Sequence, residues 1–228
     1  MLYLLDIFGT FIFAVSGAFR AVKYELDLLG VLVLATATGV GGGIIRDLML
    51  GYNPPAVFRH EAYLIVCVAG GMVVFFGARK IAARWDWVMA ADAVGLSVFA
   101  AIGAAKAADS GFGVIGIVMM AALTASGGGA VRDVLVAEIP MVLKADFYAT
   151  AALIGGACLV LARAMGFSEN AQLLSAALPT LALRFAAMRY GIALPKVHKL
   201  PLSPSQLTRQ RKEDSTGAAA KDERGENA

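Results

Sequence analysis

The chain has 228 residues, 59% of them hydrophobic and 16% charged, with 20 basic and 17 acidic side chains and a mean hydropathy of +0.71. That balance excludes an ordinary soluble domain, and no basic, aromatic-rich nucleic-acid surface accompanies the formal charge of +3. The composition is that of a membrane protein, so its chemistry has to sit among helices.

A helix needs about 20 apolar residues to cross a hydrocarbon core of roughly 30 Å. Seven stretches qualify, at residues 2–22, 28–50, 62–82, 88–106, 112–136, 146–166 and 170–190. The first carries Asp6 and lacks the basic start of a signal peptide, so it reads as an uncleaved span. The second ends in Gly39-Val40-Gly41-Gly42-Gly43-Ile44-Ile45-Arg46-Asp47. The third holds Cys67 and the sixth Cys158, both read as small core residues without metal or disulfide spacing. Trp85 and Trp87, between the third and fourth spans, suit a headgroup region. The fourth span carries Asp92 and closes on Lys106, either a gating charge or, by preference, a snorkelling end. The fifth repeats the glycine motif as Ala125-Ser126-Gly127-Gly128-Gly129-Ala130-Val131-Arg132-Asp133. In the seventh, Pro179 predicts a kink, and Arg184 is expected to point to the nearer interface. From Pro195 onward the composition turns polar and reads as a disordered tail, whose Arg209, Arg211 and Lys212 carry no assigned lipid role.

An offset of 86 residues lays the chain on itself. It pairs Asp6 with Asp92, Gly17 with Gly103, Arg20 with Lys106, Thr38 with Thr124, Gly41 to Gly43 with Gly127 to Gly129, Arg46 with Arg132, Asp47 with Asp133 and Pro54 with Pro140. Residues 1–86 and 87–168 therefore read as duplicated three-span halves, followed by the seventh span at 169–194 and the tail at 195–228. An odd number of spans per half makes the repeat inverted, the architecture of many permeation proteins with a pathway between the halves. Arg20, Lys23, Arg79, Lys80, Arg84, Lys144 and the tail gather on one side, and Arg59, Lys106 and Arg163 on the other. The richer side is expected to be cytoplasmic, with the N-terminus outside.

Each glycine costs about 1 kcal/mol against alanine within a helix, so the runs are expected to bend or loosen their helices where backbone faces a cavity. Packing of small residues between helices is the alternative. Neighbouring helix positions do not face each other, so Arg46 and Asp47 are expected to find partners elsewhere. Matching depth proposes Asp6 with Arg46 near one mouth and Asp92 with Arg132 near the other, Asp47 and Asp133 adding to the charge there. Thr38, Thr124 and Ser126 either offer hydroxyls to a pathway or bond back to their own helices. No phosphate loop, HExxH or dinucleotide fingerprint is present, so neither an enzyme nor a resident metal or cofactor is expected.

Two GGGxxRD motifs, an inverted triplet repeat and a lone seventh span resemble the prokaryotic members of the trimeric intracellular cation (TRIC) channel family over residues 1–190. Bacterial relatives of that family are also classed as UPF0126 or glycine transporter-domain proteins. The resemblance implies an all-α homotrimer of seven-helix protomers in the bacterial inner membrane, with an ion pathway in each protomer. The matching positions are Gly41, Gly42, Gly43, Arg46 and Asp47, with Gly127, Gly128, Gly129, Arg132 and Asp133, on helices kinked at the glycines. The implied permeant ion is potassium or sodium, with membrane lipid as a further partner. The lysine-containing lipid-site motif of the animal members has no match here. Transport of glycine or another small amino acid through the same broken helices is the rival reading.

Overall fold

The computed structural model describes residues 1–81, 85–144 and 147–192, and their side chains except those of 78–81 and 85–87. The expectations placed on Arg79, Lys80, Arg84, Trp85, Trp87 and the tail fall outside the described side chains. Among the described residues every regular element is helical. Seven are long: α1 (Leu2–Lys23), α2 (Leu28–Met49), α4 (Ala62–Ile81), α5 (Trp85–Asp109), α6 (Val114–Leu135), α8 (Ala149–Ala164) and α9 (Glu169–Tyr190). Two single turns, α3 (Ala56–Arg59) and α7 (Met141–Lys144), follow α2 and α6. Helices α1, α2, α5, α6 and α9 are long and apolar enough to cross a membrane, and α4 and α8 contribute shorter apolar stretches. The protein is an all-helical membrane protein.

The helices start and stop where local chemistry directs. Asp27 caps α2 by accepting the Gly30 N–H at 2.7 Å, and Gly191, with φ of 60°, ends α9 in the left-handed conformation that favours glycine. Pro179 sits inside α9 without ending it. Helix α1 packs on α2, α4 and α5; α5 packs on α6, α8 and α9; and α2 crosses α6. One apolar core, with Ala14, Val31, Leu34 and Val74, joins α1, α2 and α4. A second, with Leu96, Ile102, Met120 and Leu159, joins α5, α6 and α8 and takes in Phe13 from α1.

Contacts between these groups are reciprocal under the 86-residue offset. Phe13 stacks on its counterpart Phe99, ring centres 5.2 Å apart. A Cβ on Gly42 would overlap the Thr124 carbonyl oxygen, and one on Gly128 that of Thr38. Gly17 similarly makes room for the Thr38 side chain, and Gly103 for that of Thr124. Residues that touch their own counterparts lie where a two-fold axis would pass. In lipid, where no hydrophobic drive brings helices together, such close backbone approach supplies the packing.

Candidate site: two buried charge clusters joined by a glycine crossing

The motif residues assemble into two clusters at opposite ends of the bundle. Asp6 and Arg20 lie on one helix, 14 residues and therefore about 21 Å apart along its axis.

At the N-terminal end Arg46, 1% exposed, is held from two helices. Its Nη1 and Nη2 donate to the two carboxylate oxygens of Asp6 at 3.2 and 3.1 Å, and Nε donates to Asp47 Oδ1 at 2.9 Å. Asp6 Oδ2 also accepts from the Tyr63 hydroxyl and from Lys106 Nζ, each at 3.2 Å. Asp47 turns its other oxygen to the Ala56 N–H at 2.9 Å, which ties α2 to the first residue of α3. Two carboxylates and two cations balance formally, as buried ions require. A small cleft borders Asp6, Arg46, Asp47, Gly43 and Tyr63.

The far end repeats the plan with other extras. Arg132 Nη1 donates to Asp92 Oδ1 and Ser16 Oγ, both at 2.8 Å, and Nε donates to Asp133 Oδ1 at 2.9 Å. Asp133 Oδ2 accepts the Met141 N–H at 2.8 Å, tying α6 to α7 as Asp47 ties α2 to α3. Arg20, the counterpart of Lys106, reaches Asp133 and Glu138, each at 3.1 Å. Asp92 Oδ2, unlike either oxygen of Asp6, accepts no hydrogen bond of good geometry among the described residues. Arg184 of α9 lies over the ring of buried Tyr148, 4.8 Å from its centre. In the turn after α6, the Tyr24 hydroxyl donates to Glu138. That bond, helped by Arg20 and Lys23, holds the Glu138 carboxyl below its ordinary 4.5, and it raises Tyr24 above 10.

Between the clusters α2 and α6 cross on their glycines. A Cβ on Gly41 would lie 3.3 Å from Gly128 Cα, and one on Gly127 3.3 Å from Gly42 Cα. The third glycine of each run faces its own arginine. A Cβ on Gly43 would lie 3.7 Å from Arg46 Nη2, and one on Gly129 3.6 Å from Arg132 Nη2 and 2.9 Å from the Tyr148 hydroxyl. Thr38 and Ser126 bond back to the Leu34 and Ala122 carbonyls at 2.6 and 2.7 Å, while Thr124 Oγ1 has no hydrogen-bond partner among the described residues.

Several expectations need correction. The glycine runs do not unwind their helices: α2 and α6 are helical throughout, which overturns the expected loosening and leaves the expected bend to the proposed function. The apolar crossing holds the backbone hydrogen bonds together, and the glycines serve close contact. Arg46 and Asp47 do bond each other, as do Arg132 and Asp133. Their Cβ atoms diverge, but the arginine is long enough to swing its Nε to the neighbouring carboxylate while its Nη atoms reach another helix. Lys106 does not snorkel outward; it turns in to Asp6. Arg184 is 2% exposed and packs on Tyr148 instead of reaching an interface.

Sequence reasoning left Tyr63, Tyr148, Tyr24, Ser16 and Glu138 out of the clusters, and used Arg20 only to set topology. The offset that pairs Arg20 with Lys106 was the available signal, because it gives each cluster a fourth charged member. No group of three or more potential metal ligands occurs among the described residues.

Comparison with known proteins bears on the same elements. The model of the glycine transporter family matches residues 3–79 and again residues 89–164. A UPF0126 membrane protein of Vibrio cholerae is 41% identical over 196 residues, 86% of this chain and 82% of its own. The UPF0126 inner membrane protein YadS of Escherichia coli is 41% identical over 200 residues, 86% of this chain and 95% of its own. Among solved structures, the TRIC trimeric intracellular cation channel orthologue from Rhodobacter sphaeroides superposes with a TM-score of 0.80 at 38% identity, covering 84% of this chain and 98% of that one. On these matches the chain belongs to the UPF0126 glycine transporter family, the family of the prokaryotic TRIC channels.

Proposed function

We propose that this protein is a cation channel of the TRIC type, conducting monovalent cations, potassium among them, along the α2–α6 interface of each protomer. The observation that carries the reading is the likeness to a solved TRIC channel over nearly all of that chain. Two buried clusters of paired charges at the ends of a glycine crossing support it. In this reading Arg46 with Asp6 and Asp47, and Arg132 with Asp92 and Asp133, form the two mouths, and Lys106 belongs to the first. In the same reading, the close backbone approach at Gly42 and Gly128 shuts the pathway at the crossing. Opening requires the helices to part or bend there, and the glycines lower the cost of doing so.

The same proposal takes the seven long helices as seven spans, arranged as inverted halves at 1–86 and 87–168 plus a seventh helix. The protomers form a homotrimer in the bacterial inner membrane, with the N-terminus outside, the polar tail in the cytoplasm and lipid around the rim. A second reading, secondary transport of glycine or another small amino acid, is favoured by the description of the matching family and by the same inverted plan.

Purified protein in liposomes separates the two. Potassium current that steps discretely and reverses at the potassium potential, without saturable glycine uptake, is the expected result. Saturable glycine uptake without unitary current would replace the channel by a transporter.

A further inference from the structure

At each end of the bundle a turn from one half meets a turn from the other, at the same positions but with different chemistry. The turns after α1 and α5 match: Glu25 and Gly111 have φ of 54° and 78°, and the Leu26 and Phe112 N–H groups donate to Ala21 and Ala107, both at 3.1 Å. The turns after α2 and α6 match as well. Gly51 and Ala137 have φ of 78° and 55°, and the Tyr52 and Glu138 N–H groups donate to Asp47 and Asp133 at 2.8 and 2.9 Å. The 86-residue offset lays Tyr24 on Ser110 and Tyr52 on Glu138. At the far end Tyr24 bonds Glu138. At the N-terminal end the Ser110 and Tyr52 hydroxyls stand 3.1 Å apart.

What stands behind each pair differs. Glu138 Oε2 is 3.1 Å from Arg20, and Arg20 bonds Asp133, which in turn bonds Arg132 and the first turn of α7. An unbroken run of charge-assisted bonds therefore leads from a surface turn into the buried cluster. The charged and titratable groups acting on Glu138 are Tyr24, Arg20, Lys23 and Asp133. At the N-terminal end Lys106 turns inward to Asp6 and Asp47, and the Tyr52 and Ser110 pair is neutral.

The geometry points to Tyr24, Glu138 and Arg20 as a latch that fastens the surface turns at the far end of the bundle to the buried cluster across the two halves, whereas at the N-terminal end Lys106 crosses to Asp6 and Asp47 without engaging the turns, which meet through a hydroxyl pair. Its consequence for conduction rests on the channel reading above; its structural content does not. Because the latch joins the turns to Arg132, releasing it loosens the cluster as well as the surface.

Hydrogen exchange on the full chain in lipid nanodiscs tests the latch at segments 23–27 and 136–140 against segments 109–113 and 50–54. Glu138→Gln, and separately Tyr24→Phe, should speed exchange in the first two segments about fivefold or more, the scale of a lost charge-assisted hydrogen bond. The other two segments should not change, and Tyr52→Phe should leave the first two unchanged. An equal response at both ends, or none on Glu138→Gln, overturns the latch. Potassium flux through the same variants in liposomes is read alongside, and Glu138→Gln should raise it severalfold. Faster exchange with unchanged flux in a conducting protein reduces the latch to a structural tie and overturns its gating role. If the unmodified protein passes no potassium, the channel reading fails, while the exchange data still decide the latch.

Discussion

Arg46 and Arg132 hold equivalent positions but leave different reserves behind them. If Arg46 is cut back, Asp6 still has Lys106 and Tyr63 within 3.2 Å. If Arg132 is cut back, Asp92 loses the guanidinium donor to Oδ1 and keeps the neutral Tyr148 hydroxyl beside it, with no well-aligned hydrogen bond to Oδ2 among the described residues. Stranding a buried charge costs about 3–5 kcal/mol, so Arg132→Met should approach that range and Arg46→Met should fall clearly short of it. Thermal unfolding of the detergent-solubilised variants measures the difference, and adding Asp92→Asn to Arg132→Met should recover part of the loss. Equal destabilisation would mean that Lys106 does not compensate at Asp6. Lysine at position 132 should not restore stability, because a single ammonium cannot reach Asp92, Ser16 and Asp133 in the fork that arginine provides. Glu138 adds a pH dependence of definite sign. Its folded carboxyl sits below 4.5, chiefly through the Tyr24 bond, so its contribution is present above that value and is lost as pH falls through the lower folded one. A stability loss in that acid window that disappears in Glu138→Gln is the expected outcome of a pH series.

At the scale of the helix, the two GGGxxRD runs divide their labour by position. The middle glycines meet a backbone carbonyl of the facing helix, which cannot move aside, whereas Gly43 meets only the end of a flexible arginine at 3.7 Å. Gly42→Ala and Gly128→Ala should therefore force α2 and α6 apart and lower the yield of folded protein, while Gly43→Ala should express normally. Gly129→Ala should fall between, because the Tyr148 hydroxyl at 2.9 Å has to shift. Size-exclusion profiles of the four variants rank them. If Gly42→Ala elutes like the unmodified protein, the crossing is looser than the structure has it. The residue pattern alone does not reveal this division, since three glycines before an Arg-Asp pair fit a bend, a packing surface or room for a guanidinium. Only the facing helix tells which glycine serves which purpose.

At the scale of the whole molecule, the helices and their order were legible because each span is a long apolar run, and the pairing of Asp6 with Arg46 was legible because depth along two spans can be counted. Lys106 and Arg20 were not, because their partners belong to the other half, and no local spacing encodes a contact between residues 100 or 113 positions apart. Those two contacts have a consequence for assembly. Lys106 of the second half completes the cluster around Asp6 and Asp47, and Arg20 of the first half completes the cluster around Asp133. Each half on its own therefore lacks one charged member of its cluster, at a depth where charge is costly. The halves also share the Phe13 and Phe99 stack and the glycine crossing. Cutting the chain between residues 82 and 85 and expressing the two pieces separately should give fragments that do not accumulate in the membrane. Expressed together, they should copurify through a tag on either one. Replacing Arg20 and Lys106 with methionine in the paired fragments should weaken that recovery more than either change alone. Stable accumulation of the first fragment by itself would mean that its Asp6, Arg46 and Asp47 cluster is complete without Lys106, and that the two halves need each other only for apolar packing.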